Sequence, residues 1–377
     1  MDNKIIELIT TLGDGGAETL VKDYSILLNR INVETNILTI YRVPQSSNLT
    51  QVRQAGIKVR SILPGNSRVF KFFKQTIGFI YIPYRIYKII KASNATCVHV
   101  HMNQLHHIAP IAKFLKNTKI IYTCHNDPSK YFRGISGNME YRAVKRLVKY
   151  DNFLLVALHD TMAKELSLMF NTDRVEIIRN GVDFNKYTHL KKNREEKRKE
   201  VGIDKNAYVI GHIGRFSTQK NHSFLVDIFE HIAKKDKNAF LLMVGAGTLE
   251  GDIIKKLNSK HLENRYMILS HRTDIPELLN LMDVYLFPSL YEGLPVSLVE
   301  AQVSKLHCVV SDTINKVALL LPSTIALSLN DPIEKWSDEC LKKFDSIDWN
   351  EKLIEYDMNH EIIKLKELVE NNYKIEK

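Results

Sequence analysis

The sequence predicts an α/β protein built from two doubly wound parallel sheets in two successive domains. Short runs rich in Val, Ile and Leu alternate with helix-length segments, as expected for buried parallel strands joined by helices. A highly charged stretch at residues 189–200 interrupts this alternation, which then restarts. With 377 residues the chain has room for two domains of roughly 150 residues each.

The strand-like and helix-like runs define the expected domains. In the first half we expect strands at 5–10, 35–41, 58–62, 97–100, 119–123 and 153–157, with a helix at 17–29 after the first strand. In the second half we expect strands at 208–213, 239–244, 266–269, 284–288 and 307–311, with helices at 221–234, 253–257, 274–282 and 294–303. The predicted organisation is a first domain at 1–187, a charged linker at 188–200, a second domain at 201–346 and a helical segment at 347–377.

Positive charge is concentrated in the first domain. The formal net charge of the chain is +10, and residues 1–180 hold 25 Lys and Arg against 13 Asp and Glu. Between residues 35 and 126 there is no Asp or Glu at all. We therefore expect this half to face an anionic partner, which on charge alone is a membrane surface, a nucleic acid or a phosphorylated small molecule.

Several classes of protein are disfavoured. Glu7 interrupts the apolar run at the start of the sequence, which argues against a signal peptide, and no run of about eighteen apolar residues predicts a membrane span. The cysteines show no Cys-x-x-Cys pairing, so they are interpreted as reduced thiols of a cytoplasmic protein: Cys97, Cys124, Cys308 and Cys340. No His, Asp or Glu set has metal-ligand spacing, so no metal site is expected.

The strongest motif is Pro-Ser-Leu-Tyr-Glu-Gly-Leu-Pro-Val-Ser-Leu-Val-Glu-Ala at residues 288–301. A strand ends here and a helix begins near Pro295, so the free backbone N–H groups around 293–296 would form an anion site. Glu292 in the loop and Glu300 in the helix would accept hydrogen bonds from sugar and ribose hydroxyls. The alternative is an ordinary loop glutamate and an ordinary surface glutamate.

Three further loops carry candidate residues. Arg215 and Lys220 follow a strand and precede a helix, where they would neutralise a phosphate group, unless they are simply exposed basic residues. Gly15 and Gly16 form a tight turn after the first strand, which lets a ligand approach the backbone. His125 follows another strand and is placed to line a cleft, although isolated histidines are more often structural.

Together these motifs resemble the retaining family 4 glycosyltransferases of GT-B architecture, in particular those that build bacterial capsular polysaccharides, exopolysaccharides and O-antigens. Residues 288–301 match the family's Pro-Ser-x-x-Glu-Gly-x-Pro-x-x-x-x-Glu-Ala signature. The Asn-Gly-Val-Asp element at 180–183 is similar to the one that precedes the family's interdomain linker. The chain departs from the family at Ser270-His271 and within 304–307, where relatives often have glycine.

The resemblance implies two Rossmann-like domains facing across a cleft, with C-terminal helices crossing back to the first domain. The first domain would bind the acceptor and the second the nucleotide-sugar donor. The implied catalytic residues are Glu292 at the donor sugar, His125 near the anomeric carbon, and Arg215 and Lys220 at the diphosphate. The implied donor-binding residues are Gly15, Gly16, Arg215, Lys220, Gly245, Arg272, Glu292, Gly293, Leu294, Pro295, Val296 and Glu300. No metal or other cofactor is expected.

The expected reaction is transfer of a hexosyl or N-acetylhexosaminyl group, with retention, from a UDP-sugar to a glycan or lipid-diphosphate-linked acceptor. Residues 67–93 interleave six Lys and Arg with seven Phe and Tyr. This composition is typical of a segment that docks on the inner face of an anionic membrane, and it fits an ordinary basic helix packed on the sheet equally well. Open alternatives are an inactive GT-B partner subunit, a nucleotide-sugar isomerase and a phosphorylase. Nucleic-acid binding is disfavoured because no recognised motif is present.

Overall fold

Two parallel sheets form the framework of the protein, and each belongs to its own unit of the chain. The computed structural model describes residues 3–13, 15–42, 45–65, 78–292, 294–344 and 346–370. The first unit takes in the chain up to Asn180 and again from Asn359, and the second unit is Gly181–Met358. The predicted pair of doubly wound α/β sheets is confirmed.

Seven strands make the first sheet. They are β1 (Lys4–Ile9), β2 (Glu34–Tyr41), β3 (Lys58–Leu63), β4 (Cys97–His101), β5 (Lys119–Thr123), β6 (Phe153–Ala157) and β7 (Val175–Ile177). Their order is β3-β2-β1-β4-β5-β6-β7, with parallel pairing throughout. The helices of this part of the chain are α1 (Gly16–Arg30), α2 (Ser47–Gln54), α3 (Gly78–Ser93), α4 (Leu105–Ile108), α5 (Pro128–Tyr131), α6 (Gly134–Leu147) and α7 (Asp160–Phe170), with a 3-10 turn at Ala112–Phe114.

Six strands make the second sheet. They are β8 (Tyr208–Ile213), β9 (Ala239–Val244), β10 (Tyr266–Leu269), β11 (Val284–Phe287), β12 (His307–Ser311) and β13 (Thr324–Leu327), in the order β10-β9-β8-β11-β12-β13. The helices of this unit are α8 (Asn185–Thr188), α9 (Arg194–Val201), α10 (His222–Lys235), α11 (Glu250–Ser259), α12 (Ile275–Asn280), α13 (Val296–Val303), α14 (Ile333–Cys340) and α15 (Glu351–Ile354), with 3-10 turns at Thr218–Lys220 and Lys316–Ala318.

The strand order determines where a ligand can bind in each unit. In the first sheet the winding reverses between β1 and β4, and in the second sheet it reverses between β8 and β11. Open α/β sheets bind ligands outside the carboxyl ends of their strands at such a reversal, because the connecting loops diverge there and leave a crevice. The loops after β8 and β11 carry the residues that the sequence singled out.

The last helix, α16 (Met358–Glu370), fastens to the first unit. The carboxylate of Glu361 is fully buried and accepts the backbone N–H of Arg179 at 2.7 Å. The side-chain amide of Asn3 donates to Oε1 of Glu370 at 3.0 Å. Helix α15 belongs to the second unit, so the part of the chain that rejoins the first unit begins at Asn359 and not at the predicted 347.

The charged stretch at 188–200 is not a linker between the units, because it lies inside the second unit. Helix α9 begins there with a capping box in which Asn193 and Glu196 bond to each other's backbone N–H groups. Lys197 and Arg198 are buried at 3% and 4% exposure. The Arg198 guanidinium donates hydrogen bonds to Leu281 O at 2.9 Å, Lys205 O at 2.8 Å, Ala207 O at 2.9 Å and Asp283 Oδ2 at 2.9 Å, in place of water.

Two residues that carry a Cβ adopt a backbone conformation that favours glycine. His271 has φ 54° and Lys305 has φ 59°, both in the left-handed region. This conformation costs a residue with a Cβ about 1–2 kcal/mol.

Candidate active site

Two loops of the second unit are fastened together at the point where the sheet reverses its winding. The backbone N–H of Leu290 donates to the carbonyl oxygen of Gln219 at 2.8 Å. The side-chain amide of Gln219 in turn donates to the carbonyl oxygen of Tyr291 at 3.0 Å. The loop after β11 is also held from its other side, where Glu292 forms an isolated parallel bridge with Ile314. These contacts bring Lys220 next to Glu292.

Lys220 and Glu292 form an ion pair that is largely shielded from water. Lys220 Nζ lies 2.7 Å from Glu292 Oε1, and the two side chains are 15% and 8% exposed. The ammonium also lies 4.3 Å from the centroid of the Phe287 ring, within the range of a cation–π contact. Burial lowers the pKa of Lys220, and the charge of Glu292 opposes that shift. An ammonium has three donors, so the pair leaves Lys220 able to bind a further anion.

Arg215 adds a second cation to the same loop. Its side chain is exposed, and its charge contributes to the lowered pKa of Lys220 after the larger effect of burial. Two neighbouring cations that repel each other favour a bound anion, because the anion reduces the repulsion. Arg215 and Lys220 therefore concentrate positive charge in the loop after β8.

Helix α13 begins beside this ion pair. Pro295 is its N-cap, and the carbonyl oxygen of Pro295 accepts from the backbone N–H of Leu298 at 3.0 Å and of Val299 at 3.3 Å. Because proline contributes no side-chain cap, the first backbone N–H groups of α13, at Val296 and Ser297, add a partial positive charge to this end of the site. The predicted Gly293 lies outside the described residues, and Leu294 is half-buried before the helix.

Gly245 brings a third loop against the first. A Cβ at this position would lie 2.1 Å from the carbonyl oxygen of Gly214, and its φ of 153° is one that other residues rarely adopt. Its N–H donates to the carbonyl oxygen of Leu269 at 2.9 Å. The loops after β8 and β9 therefore approach as closely as their backbones allow.

Glu300 and Arg272, both predicted to bind the donor, pair with different side chains. Glu300 Oε1 accepts a hydrogen bond from the Tyr187 hydroxyl at 2.8 Å, so the carboxylate is oriented by a residue that the sequence did not single out. The Arg272 guanidinium donates to Asp274, with Nε 2.7 Å from Oδ1, and this pairing raises the pKa of Arg272. The two hydrogen bonds to Asp274 hold the Arg272 guanidinium in one orientation.

In the first unit, the predicted residues Gly15 and Gly16 form the start of helix α1. Gly15 is its N-cap, and a Cβ there would meet the end of the Glu18 side chain at 2.5 Å. Among the described residues, and apart from the chain neighbours and the backbone of α1, no atom lies within 4 Å of the Cβ position at Gly16. The turn thus has room for a group that approaches the helix N-terminus.

His125 follows β5 and ends a chain of buried polar side chains. Its Nε2 lies 2.9 Å from Nδ1 of His101, and Nε2 of His101 lies 2.6 Å from Oε2 of Glu7. Nδ1 of His99 lies 3.1 Å from the same carboxylate oxygen. Glu7, His99 and His101 have no exposed surface, whereas His125 is half-exposed. Glu7 lies far from His99 and His101 in the sequence, so the sequence alone does not show this cluster. The fold brings them together because β1 and β4 are neighbours in the sheet.

Comparison with protein-family models identifies both halves of the chain. Residues 14–186 match the model described as Glycosyltransferase Family 4, and residues 193–319 match the model described as Glycosyl transferases group 1. The chain belongs to the family 4 glycosyltransferases. Within that family it is of the type that builds bacterial capsular and extracellular polysaccharides, as the names of its relatives indicate.

Curated relatives of this glycosyltransferase cover most of its length. The glycosyltransferase EpsF of Bacillus subtilis is 28% identical over 344 residues, which span 89% of this chain and 86% of the relative. The capsular polysaccharide biosynthesis glycosyltransferase CapH of Staphylococcus aureus is 23% identical, and the alignment spans 79% of this chain and 78% of the relative. An Escherichia coli enzyme named UDP-Gal:alpha-D-GlcNAc-diphosphoundecaprenol alpha-1,3-galactosyltransferase is 27% identical over 60% of each chain.

Solved structures confirm the GT-B fold of the glycosyltransferase. Anabaena HepE in complex with UDP and glucose superposes with a TM-score of 0.68 at 19% identity, covering 97% of this chain and 95% of that one. TarM of S. aureus superposes with a TM-score of 0.70 at 13% identity, covering 98% and 100%. At these identities the likeness shows the fold alone.

Sequence reasoning missed Tyr187, Gln219 and Glu7 as partners of the site residues. Tyr187 and Gln219 carry no signal in a single sequence, because their importance comes from contacts across the fold. Glu7 did carry one: it is a carboxylate in the middle of an apolar strand, and a buried charge requires partners. The position of Glu7 argued against a signal peptide, and it also indicated a buried polar cluster.

Proposed function

We propose that this glycosyltransferase transfers a hexosyl or N-acetylhexosaminyl group from a UDP-sugar to a lipid-diphosphate-linked glycan, with retention of anomeric configuration. The observation that carries the proposal is the Lys220–Glu292 pair, with Arg215 beside it, at the reversal point of the second sheet. A cationic site next to a carboxylate suits a ligand that carries both a diphosphate and a sugar. The UDP complexes of HepE and the diphosphoundecaprenol in the E. coli relative's name support the choice of donor and acceptor.

In this proposal the second unit stabilises the leaving group. Negative charge builds on the nucleoside diphosphate as the glycosidic bond breaks, and Arg215, Lys220 and the N-terminus of α13 stabilise that charge. Glu292 accepts hydrogen bonds from the donor sugar, and Glu300, oriented by Tyr187, accepts them from the ribose. The first unit binds the acceptor, and Gly15, Gly16 and His125 line its part of the proposed site.

The proposed enzyme requires no metal ion for the transfer step. In metal-dependent transferases a divalent cation neutralises the diphosphate, and here two side-chain cations and a helix N-terminus carry positive charge at one place. We expect turnover to be unchanged, within about twofold, after dialysis against EDTA. Loss of activity that added Mg²⁺ or Mn²⁺ restores would overturn this part of the proposal.

The experiment that tests the function is a donor and acceptor panel. UDP-, GDP- and TDP-sugars are offered with lipid-diphosphate-linked glycans, and the anomeric configuration of the product is read by NMR. The proposal expects transfer from UDP-sugars alone, with the configuration of the donor preserved. Inversion would refute retention, and conversion of the nucleotide-sugar without any acceptor would identify an isomerase.

We further propose that helix α3 docks the enzyme on anionic membranes. Of the interval 67–93, residues 67–77 lie outside the described part of the chain, and Gly78–Ser93 is the helix. On its exposed side are Phe79 at 51%, Ile80 at 77% and Tyr84 at 53% exposure, with Arg85 and Lys88 also exposed. Within the described residues, no helix is long and apolar enough to cross a membrane. Peripheral contact through this helix would bring the enzyme to a lipid-linked acceptor.

Vesicle binding tests the docking surface. The wild type is expected to sediment with vesicles of phosphatidylglycerol and phosphatidylcholine but not with phosphatidylcholine alone. Each basic residue near an anionic surface contributes about 1 kcal/mol, so the Arg85→Glu, Lys88→Glu variant should bind at least ~30-fold more weakly. Leu168→Ser removes an apolar side chain that is 85% exposed on α7, away from the proposed docking helix, and should bind normally. Equal binding of all three proteins would exclude docking through α3.

A further inference from the structure

A carboxylate and an imidazole lie behind His125 at the reversal point of the first sheet. Glu7 on β1 pairs in register with His99 on β4, and His101 follows two residues further along the same strand. The Glu7 carboxylate has no exposed surface, so its charge is stabilised by the imidazoles that contact it. The only member of this chain of contacts with partial solvent exposure, among the described residues, is His125 at its end.

The distances determine which ring nitrogens carry hydrogen. An ionised carboxylate only accepts, so Nε2–H of His101 donates to Oε2 of Glu7 at 2.6 Å. Nδ1 of His101 is then an acceptor and receives Nε2–H of His125 at 2.9 Å. The remaining ring nitrogen of His125, Nδ1, is therefore left with a lone pair.

The charge states agree with this assignment. Burial alone would raise the pKa of Glu7, but the contacts with His99 and His101 outweigh it and hold that pKa below its usual range. Burial and the neighbouring His99 lower the pKa of His101 despite the carboxylate. Burial and His101 lower the pKa of His125 well below that of an ordinary histidine. The chain thus consists of one carboxylate and two neutral imidazoles near neutral pH.

We propose that Glu7 and His101 act as positioning residues that fix His125 in its Nε2–H tautomer, so that Nδ1 of His125 is the hydrogen-bond acceptor for a hydroxyl of a sugar bound at the first unit. The sugar as ligand rests on the proposed function, whereas the tautomer does not. A carboxylate that orients a histidine in this way can decide activity, because the wrong tautomer presents a donor where an acceptor is needed.

His99 supports the carboxylate without taking part in the chain to His125. Its Nε2 lies 2.7 Å from the hydroxyl of Thr123, and its Nδ1 faces Glu7. The ligand atoms of Glu7, His99 and His101 lie within 4.8 Å of one another, so a bound metal ion is the competing explanation for the cluster. A metal would take the lone pair of His101 Nε2, which reverses the tautomer of His101 and then that of His125. The two explanations therefore predict opposite tautomers for His125.

Nitrogen-15 NMR of selectively labelled histidine distinguishes these tautomers, with the His125 signals assigned by their loss in His125→Asn. The wild type is expected to show protonated Nε2 and unprotonated Nδ1 at His125. In Glu7→Met, His101 loses the acceptor for its Nε2–H, so His125 should shift to the Nδ1–H tautomer. In Glu7→Gln, which keeps the shape of the side chain, His125 should show a mixture of both. Transfer activity should fall about 10–100-fold in kcat with the KM for the donor unchanged.

Glu140→Gln is the matched control, because Glu140 is a second fully buried glutamate that bonds to a histidine, His106, in the same unit. It should leave both the His125 tautomer and kcat unchanged within about twofold. An unchanged His125 tautomer in both Glu7 variants, or stoichiometric zinc in the wild type that Glu7→Gln releases, would overturn the inference. If the wild type transfers no sugar, the proposed function fails, and the tautomer shifts still decide the positioning role.

Discussion

Arg215→Ala is expected to lower kcat for sugar transfer by about 10²–10³-fold while the protein stays folded. Arg215 is exposed, and its charge repels Lys220, so removing it leaves no buried partner without a counter-charge. The loss falls on the step in which charge develops on the leaving diphosphate. Steady-state kinetics with the preferred nucleotide-sugar measures it, and thermal unfolding checks that the melting temperature is preserved.

Lys220→Ala should lower kcat by at least as much, but it also leaves Glu292 without its ion-pair partner at 8% exposure. The matched control is Lys256→Ala, since Lys256 is also an ion-paired lysine of the second unit, 2.6 Å from Asp227, on the helix after β9. That variant should keep kcat within about twofold. Near wild-type turnover in both Arg215→Ala and Lys220→Ala would show that the diphosphate does not bind at these two residues.

Arg198→Ala is expected to destabilise the second unit by about 1–3 kcal/mol, because it leaves the buried carbonyl oxygen of Leu281 without its donor and removes one of the two arginines that pair with Asp283. The two tryptophans of the chain, Trp336 and Trp349, both lie in that unit. Tryptophan fluorescence in urea therefore reports the unfolding of the second unit by itself. The midpoint of that transition is the measured quantity.

Lys199→Ala is the control for this change, since Lys199 is the next residue of the same helix and is exposed. Its free energy of unfolding should stay within about 0.5 kcal/mol of the wild type. Equal midpoints for the Arg198 and Lys199 variants would mean that α9 is the solvated linker which its charge suggests.

The buried strands of the fold were predictable because a strand covered on both faces is a continuous apolar run. The predictions at 119–123, 153–157, 208–213 and 239–244 match the observed strands in both bounds. Strands β7 and β13 were missed, and each lies at a sheet edge. Val175–Ile177 is only half-buried and contains Glu176, so no continuous apolar run marks it.

The candidate site was predictable where one motif carries it and not where distant segments meet. Lys220 and Glu292 each stand in a recognisable loop, although only the fold shows that they touch. The hydrogen bond between Tyr187 and Glu300 joins residues 113 positions apart, and the sequence around either residue does not predict the contact. The prediction of a solvated linker around Arg198 was wrong for another reason. Composition alone cannot distinguish a buried guanidinium with satisfied donors from a hydrated one.

The return of helix α16 to the first unit bears on how the protein folds during synthesis. The second unit is one continuous segment, Gly181–Met358, whereas the first contains the start of the chain and the residues after Met358. Domains generally fold as they leave the ribosome, N-terminal first. Here the first unit cannot bury Glu361 against Arg179 until the final helix emerges, by which time the second unit is already complete outside the ribosome. The domain made first is thus the last to have all of its residues outside the ribosome.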